Sequence, residues 1–123
     1  MKITKYDKSF GLFIRARDNN ICQVCKIVSY DGSELHCSHY GGRSNQSTRY
    51  DEENVDLLCH RCHAHFESKK GTSYREWKVN QLGERKVTAL EKRIQEVKKW
   101  KHGEKEAMHK SFLKRTGEIY AKQ

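Results

Sequence analysis

Two Cys-x-x-Cys pairs, Cys22/Cys25 and Cys59/Cys62, constrain this chain more than any other feature. Four cysteines in two such pairs can make a closed tetrahedral thiolate site for zinc, which requires the two pairs to meet in space whatever the intervening chain does. Composition adds weight to that requirement. With 35% hydrophobic residues and a mean hydropathy of -1.01, there is little apolar material for a self-sufficient core. Small domains of this kind depend on a staple, and a structural metal is a common one. Structural zinc at Cys22, Cys25, Cys59 and Cys62 would fill that role and make folding metal-dependent.

The 123 residues are read as a single unit in two parts, a zinc-stabilised core over 1–70 and a helical extension over 71–123. The N-terminal MKITKYDKSF is polar, and no apolar run approaches ~20 residues, so neither a signal peptide nor a membrane span is expected. A reducing cytoplasm is the expected setting, where paired Cys-x-x-Cys motifs hold metal rather than form disulfides. The net charge is +9, from 25 Lys/Arg against 16 Asp/Glu, with a pI near 9.4. Such a balance suggests a polyanionic partner, nucleic acid by default, although charge alone equally suits a merely soluble basic protein.

Along the chain, Asp7 to Asp18 places Phe10, Phe13, Ile14 and Ala16 in a mostly helical pattern, with Lys8, Arg15 and Arg17 on other faces. Asp18-Asn19-Asn20 is a turn cluster leading into the first cysteine pair, and Asp31-Gly32 marks another turn. Leu35 to Tyr40 reads as a strand, Gly41 to Ser47 as a polar loop, and Arg49 to Asn54 as the approach to a second strand or turn. Val55, Leu57 and Leu58 supply apolar packing, and a helix runs from Cys59 to Glu67. Ser73 and Glu76 fit a capping box for a helix ending at Gly83. Val87, Leu90, Ile94, Val97 and Trp100 recur at intervals of three and four, an amphipathic stripe that Gly103 ends. A last helix is expected over Glu104 to Thr116. The stripe is a core or helix-pairing face, and its length also suits a homodimer seam.

Between and after the cysteine pairs lie Ser38-His39, Asn54, and Leu58-Cys59-His60-Arg61-Cys62-His63. A histidine has an unperturbed pKa of about 6.5, so a neutral imidazole is available near pH 7 to take a proton from attacking water. The plainer readings are a packing histidine for His39, a residue beside the zinc for His63 and a turn residue for Asn54. His36, His60 and His65 read as surface or packing histidines, and Cys37 as a buried odd cysteine.

These residues resemble the HNH (ββα-metal) endonucleases, and more narrowly the phage recombination endonucleases of the NinG/Rap type. The resemblance runs through Phe13-Ile14-Arg15-Ala16-Arg17-Asp18, Cys22-Gln23-Val24-Cys25, Cys37-Ser38-His39-Tyr40 and Gly42-Arg43. It continues through Ser47-Thr48-Arg49-Tyr50-Asp51 and Asn54 to His63, then Tyr74-Arg75-Glu76-Trp77-Lys78 and Gln81-Leu82-Gly83. It implies an α+β fold, a zinc-stabilised, treble-clef-like ββα-metal core with a helical C-terminal extension. By the same resemblance His39 matches the general base, Asn54 the central asparagine, and His63 a ligand for catalytic Mg²⁺ or Mn²⁺. Many HNH enzymes carry Asp just before the base, where this chain has Ser38. A neutral hydroxyl is a poor Mg²⁺ ligand, so Asp51 or Glu67 is expected to supply the missing oxygen. Glu67 is preferred because it shares a helical face with His63.

Arg43 and Arg49 are candidate phosphate contacts on DNA, Arg43 foremost because it follows two glycines and carries a planar fork of donors. Lys98, Lys99, Lys101, Lys105, Lys110, Lys114 and Arg115 form either a solvated face or further phosphate contacts. The expected activity is hydrolysis of DNA, branched recombination intermediates or a nick, in the host cytoplasm of a phage or prophage. The competing class is a non-catalytic zinc module that binds DNA and recruits a partner, which Ser38 favours.

Overall fold

Thr4 starts the first helix, α1 (Lys5–Arg17), earlier than the apolar pattern suggests. Its side chain accepts from the Asp7 N–H, and its own N–H donates to Asp7 Oδ2 at 2.8 Å, a reciprocal cap that satisfies two otherwise orphaned donors. The computed structural model describes residues 2–68 and 72–123. The expected boundary between the two parts, at 70–71, lies outside the described residues. Past α1, Asn19 and Asn20 both take φ of +56°, a left-handed conformation that asparagine tolerates better than most residues. Arg15 and Arg17 are clamps: Arg15 donates to the Gly32 and Leu35 carbonyls, and Arg17 to those of Glu52 and Val55.

Strands β1 (Leu35–His39) and β2 (Val55–Cys59) pair antiparallel, with Leu35 opposite Cys59 and His39 opposite Val55. The second strand follows the Arg49 to Asn54 stretch, which forms turns and leads into it as its sequence suggests. Helix α2 (His60–Glu67) begins where β2 stops, its N-cap being Cys59, whose Sγ accepts from the Cys62 N–H. Alternation along β1 turns Leu35, Cys37 and His39 to one side and His36 and Ser38 to the other. Phe10 of α1 lies against His39, whereas His63 of α2 meets His36.

Two helices follow, α3 (Thr72–Leu82) and α4 (Glu84–Ile94), separated by Gly83 at φ +90°. Ser73 lies inside α3, so the expected cap is displaced. Lys78 pins α3 to the sheet: it is buried, and its ammonium reaches Asp56 Oδ2 at 2.7 Å and the Glu53 carbonyl. The apolar stripe beyond α4 is broken. Val87 and Leu90 are buried, but the helix ends at Ile94 and Val97 is 90% exposed. Trp100 turns instead onto Tyr50 and donates its indole N–H to the Gln46 carbonyl at 2.9 Å, a partner the helical path would not offer.

The last helix, α5 (His102–Ala121), runs through both Gly103 and Gly117 rather than stopping at them. Glu104 accepts from the Lys101 N–H at its start, and glycine in a first turn costs little. It lies along α1, where Phe112 packs on Phe10 and Phe13 and the Tyr6 hydroxyl donates to Glu106. Phe112 thereby joins Phe10, Phe13, Ile14, Leu35, Val55, Leu57 and Leu58 in one apolar cluster. The whole is a small mixed α/β domain with a two-stranded sheet and five helices among the described residues.

Candidate functional site

The four cysteine sulfurs come together as the spacing required: Cys22, Cys25, Cys59 and Cys62 offer ligand atoms that all lie within 4.8 Å of one another. Cys25 Sγ and Cys59 Sγ are 3.7 Å apart. Sulfurs at ~2.3 Å from a zinc ion in tetrahedral array are separated by ~3.8 Å, so the cluster has the donor set and dimensions of a zinc site. The loop carrying the first pair is shaped for this. Cys22 N–H donates to the Ile27 carbonyl, Lys26 N–H returns to the Cys22 carbonyl, and Lys26 takes φ +66°. Burial pushes the Cys22 thiol up, but backbone N–H groups of Cys25, Cys59 and Val24 directed at it outweigh that and bring it down to about 7. A thiolate is thereby stabilised where a metal ligand has to be deprotonated.

His39 stands at the far end of β1 from this cluster. Its Nε2 lies 3.0 Å from the Arg49 carbonyl and its Nδ1 3.3 Å from the Cys37 carbonyl. A neutral imidazole has one N–H, and the shorter contact places it on Nε2, leaving a lone pair on Nδ1. Burial lowers the His39 pKa below the ordinary value, against the two carbonyl contacts, which raise it. Burial thus disfavours the imidazolium, and the shorter contact favours the tautomer with its proton on Nε2.

Asn54 builds the loop that supplies this carbonyl. It is fully buried, with Oδ1 accepting from the Gly41 N–H at 2.8 Å and Nδ2 donating to the Thr48 carbonyl at 2.9 Å. Gly41 has no room for a side chain, since a Cβ there would meet Ile94 at 2.5 Å. Asn54 thus ties both ends of the 41–54 loop together and presents the neighbouring Arg49 carbonyl to His39.

Arg43 and Arg49 converge on Asp7. Arg49 is buried and spends its guanidinium on both carboxylate oxygens, Nε to Oδ1 at 2.8 Å and Nη2 to Oδ2 at 2.7 Å. Arg43 Nη2 lies 3.4 Å from Asp7 Oδ2 with its side chain partly exposed. Burial raises the Asp7 pKa, but hydrogen bonds from Arg49 and Thr4 and the Arg49 charge overcome it and hold the carboxyl at about 2. Of the two arginines, only Arg43 retains surface to offer a phosphate.

On the opposite side of the sheet, His63 of α2 uses both ring nitrogens. Its Nε2 is 3.0 Å from Glu67 Oε1, and its Nδ1 is 3.0 Å from His36 Nδ1. His60 lies beside them, its ring 5.7 Å from that of His36. Burial, together with the neighbouring His63 and His60, lowers the His36 pKa. His39 and His63 are not in contact: along β1, His39 is three residues, ~10 Å of strand, from the histidine that His63 touches.

The other expected metal ligands are engaged elsewhere. Ser38 is buried, with its hydroxyl 2.7 Å from the Tyr74 hydroxyl. Asp51 accepts from Arg93 at 2.8 Å through Oδ2 and from the Glu53 N–H through Oδ1. Sequence reasoning took His36 for a surface or packing histidine and gave Asp7 and Tyr74 no part in the site. The even spacing of His36 and Ser38 on a strand next to a histidine helix was the one available hint for His36. Among the C-terminal basic residues, Arg115 pairs with Glu52 and Lys98 with Glu104, while Lys99, Lys110 and Lys114 are exposed.

Among the described residues, no helix is long and apolar enough to cross a membrane. In comparison with known proteins, residues 3–120 match the model of the family described as the bacteriophage lambda NinG protein. No curated protein and no solved structure matches the chain.

Proposed function

The chain belongs to the family of the bacteriophage lambda NinG protein, and on that premise we propose that it is a metal-dependent DNA endonuclease of the HNH type. Its substrate is branched recombination DNA, or duplex DNA that it nicks, in a phage or prophage setting. The observation that carries this reading is the setting of His39: a half-buried imidazole whose pKa burial lowers, with Nε2 3.0 Å from the Arg49 carbonyl. That arrangement puts the proton on Nε2 and leaves the Nδ1 lone pair for a proton from water. Asn54, which fastens the loop bearing that carbonyl, fills the orienting role that the resemblance assigns to it.

In the reaction, Nδ1 of His39 takes a proton from water as its oxygen bonds to phosphorus. The bond from phosphorus to the 3′-oxygen breaks, and the departing oxygen takes a proton from solvent water, leaving a 5′-phosphate and a 3′-hydroxyl. Arg43, at the rim of the same loop, binds a flanking phosphate oxygen. His63, with Glu67 beside it, would hold a divalent cation such as Mg²⁺ or Mn²⁺, and a cation bound there would supply charge stabilisation to a DNA phosphate. The cysteine cluster holds structural zinc.

The test is cleavage of a labelled four-way DNA junction and its linear duplex control with Mg²⁺ or Mn²⁺, comparing wild type with His39→Ala. Metal-dependent cutting lost in the variant supports the nuclease. The second reading, a zinc module that binds DNA without cutting it, is favoured by Ser38, whose hydroxyl faces Tyr74 where a metal-binding carboxylate would be expected. Intact DNA in every lane with retained binding would establish that reading instead.

A further inference from the structure

We infer that His36 and His63 form a paired-imidazole site for a transition-metal ion, with Glu67 acting behind His63 rather than on the metal. The inference deepens the proposed nuclease and rests on its reading of His63 as a metal ligand. Three contacts carry it. His36 Nδ1 and His63 Nδ1 approach to 3.0 Å, His63 Nε2 sits 3.0 Å from Glu67 Oε1, and both histidines are only partly exposed.

The chemistry of His63 decides the arrangement. A carboxylate oxygen only accepts, so the His63 proton lies on Nε2 and donates to Glu67. The lone pair of His63 is then on Nδ1, pointing at His36. A carboxylate accepting from one ring nitrogen while the other nitrogen faces a metal is the usual support of a ligating histidine: it fixes the tautomer and raises the basicity of the ring. Glu67 therefore serves as a positioning residue.

The 3.0 Å contact is a hydrogen bond from His36 Nδ1–H to His63 Nδ1. Moving the His36 proton to its Nε2 leaves both Nδ1 lone pairs facing one point. Two nitrogens at ~2.1 Å from one ion are ~3.0–3.4 Å apart, so an ion fits between them with little movement. Imidazole nitrogens favour ions such as Ni²⁺ over Mg²⁺, whose preferred partners are carboxylate oxygens and water. In this chain the hydroxyl of Ser38 is turned to Tyr74, and His36, two residues earlier on the same face of β1, takes the ligand position in its place.

The experiment titrates zinc-loaded full-length protein with NiCl₂ or MgCl₂ by calorimetry, with a zinc indicator present to show that the cysteine cluster keeps its ion. One equivalent of Ni²⁺ is expected to bind, with paramagnetic broadening of the His36 and His63 ring signals, and Mg²⁺ to bind at least tenfold more weakly. His36→Ala and His63→Ala should each weaken Ni²⁺ by a hundredfold or more. His36→Gln, which retains a polar side chain on β1, should do the same. Glu67→Ala should cost about tenfold, the usual range for a residue behind a ligand, and His60→Ala should have little effect. Nickel binding unchanged in His36→Gln, or abolished by Glu67→Ala, overturns the assignment. DNA cleavage run on the same proteins separates the two ideas. Nickel held by His36 and His63 with no cutting under any metal leaves the site and removes the nuclease. Cutting and nickel binding both untouched by His36→Gln leave the nuclease and remove the site.

Discussion

Replacing Asn54 with alanine is expected to destabilise the zinc-loaded protein by about 2–4 kcal/mol. The figure follows from what the amide satisfies. Its oxygen receives the Gly41 N–H and its NH₂ reaches the Thr48 carbonyl, and the side chain is wholly buried. Truncation leaves both backbone groups without a partner, and each such group costs about 1–3 kcal/mol when buried. The Gly41 N–H is only partly shielded, so water recovers some of its share and the lower half of the summed range applies. Urea denaturation with zinc in excess measures the change as a shift in midpoint at constant slope. Hydrogen exchange at the Gly41 amide reports the local effect, which should be faster exchange. Asn54→Asp should be no better than alanine: it keeps the acceptor for Gly41 but places a carboxylate oxygen against the Thr48 carbonyl. A cost below about 0.5 kcal/mol, with Gly41 exchange unchanged, would refute the view that this amide holds the 41–54 loop and, through it, the Arg49 carbonyl at His39.

Three further outcomes are expected. Removing metal from the cysteine cluster with a chelator should abolish the cooperative melt and most of the helical circular dichroism, as should Cys59→Ser; a metal-free protein with an unchanged melt would show that the core needs no staple. Asp7→Asn should cost about 2 kcal/mol at neutral pH, the equivalent of lowering its carboxyl from 3.8 to about 2. Because the folded pKa is depressed, that stability is present above about pH 4 and lost as pH falls toward 2. The gap between wild type and variant should therefore close over that window, zinc release being common to both, and a gap constant with pH rules out the pairing with Arg49. The His39 imidazole should titrate below 6.5 by NMR, so the folded state takes up fewer protons than the unfolded one and stability declines as pH falls below 6.5; titration at or above 6.5 contradicts its burial.

What could be read without coordinates was what depends on residue type and short spacing. The cysteine cluster belongs to this class, because four thiolates on one ion leave little freedom in where Cys22, Cys25, Cys59 and Cys62 can sit. So do β1 and α2, whose patterns are local. The approach to β2 over Arg49 to Asn54 was legible too, although Val55, Leu57 and Leu58 break simple alternation, all three being buried. The stripe from Val87 to Trp100 continues the helical period past Ile94, yet Trp100 gains a carbonyl and an aromatic neighbour by leaving the helix, and no local pattern records that. The site shows the same division. His39, Asn54 and His63 are conspicuous by motif, but the partners that set their states are distant in the chain: Arg49 meets Asp7 across 42 residues and Ser38 meets Tyr74 across 36. Glu67 was placed beside His63 by helical spacing, whereas the nearness of His36 to His63 depends on the register of β1 against β2.

The pairing of α1 with α5 bears on how this protein is made. Tyr6 and Glu106, which meet across the two helices, are 100 residues apart. At ~5–20 residues per second, the ribosome needs ~5–20 s to span that interval. By then the stretch from Cys22 to Cys62 has been synthesised and can close on its ion, while Phe10 and Phe13 still lack Phe112. A nascent polypeptide whose cysteines had closed on zinc would still expose an aromatic face on α1, so its final packing waits on synthesis of the last helix.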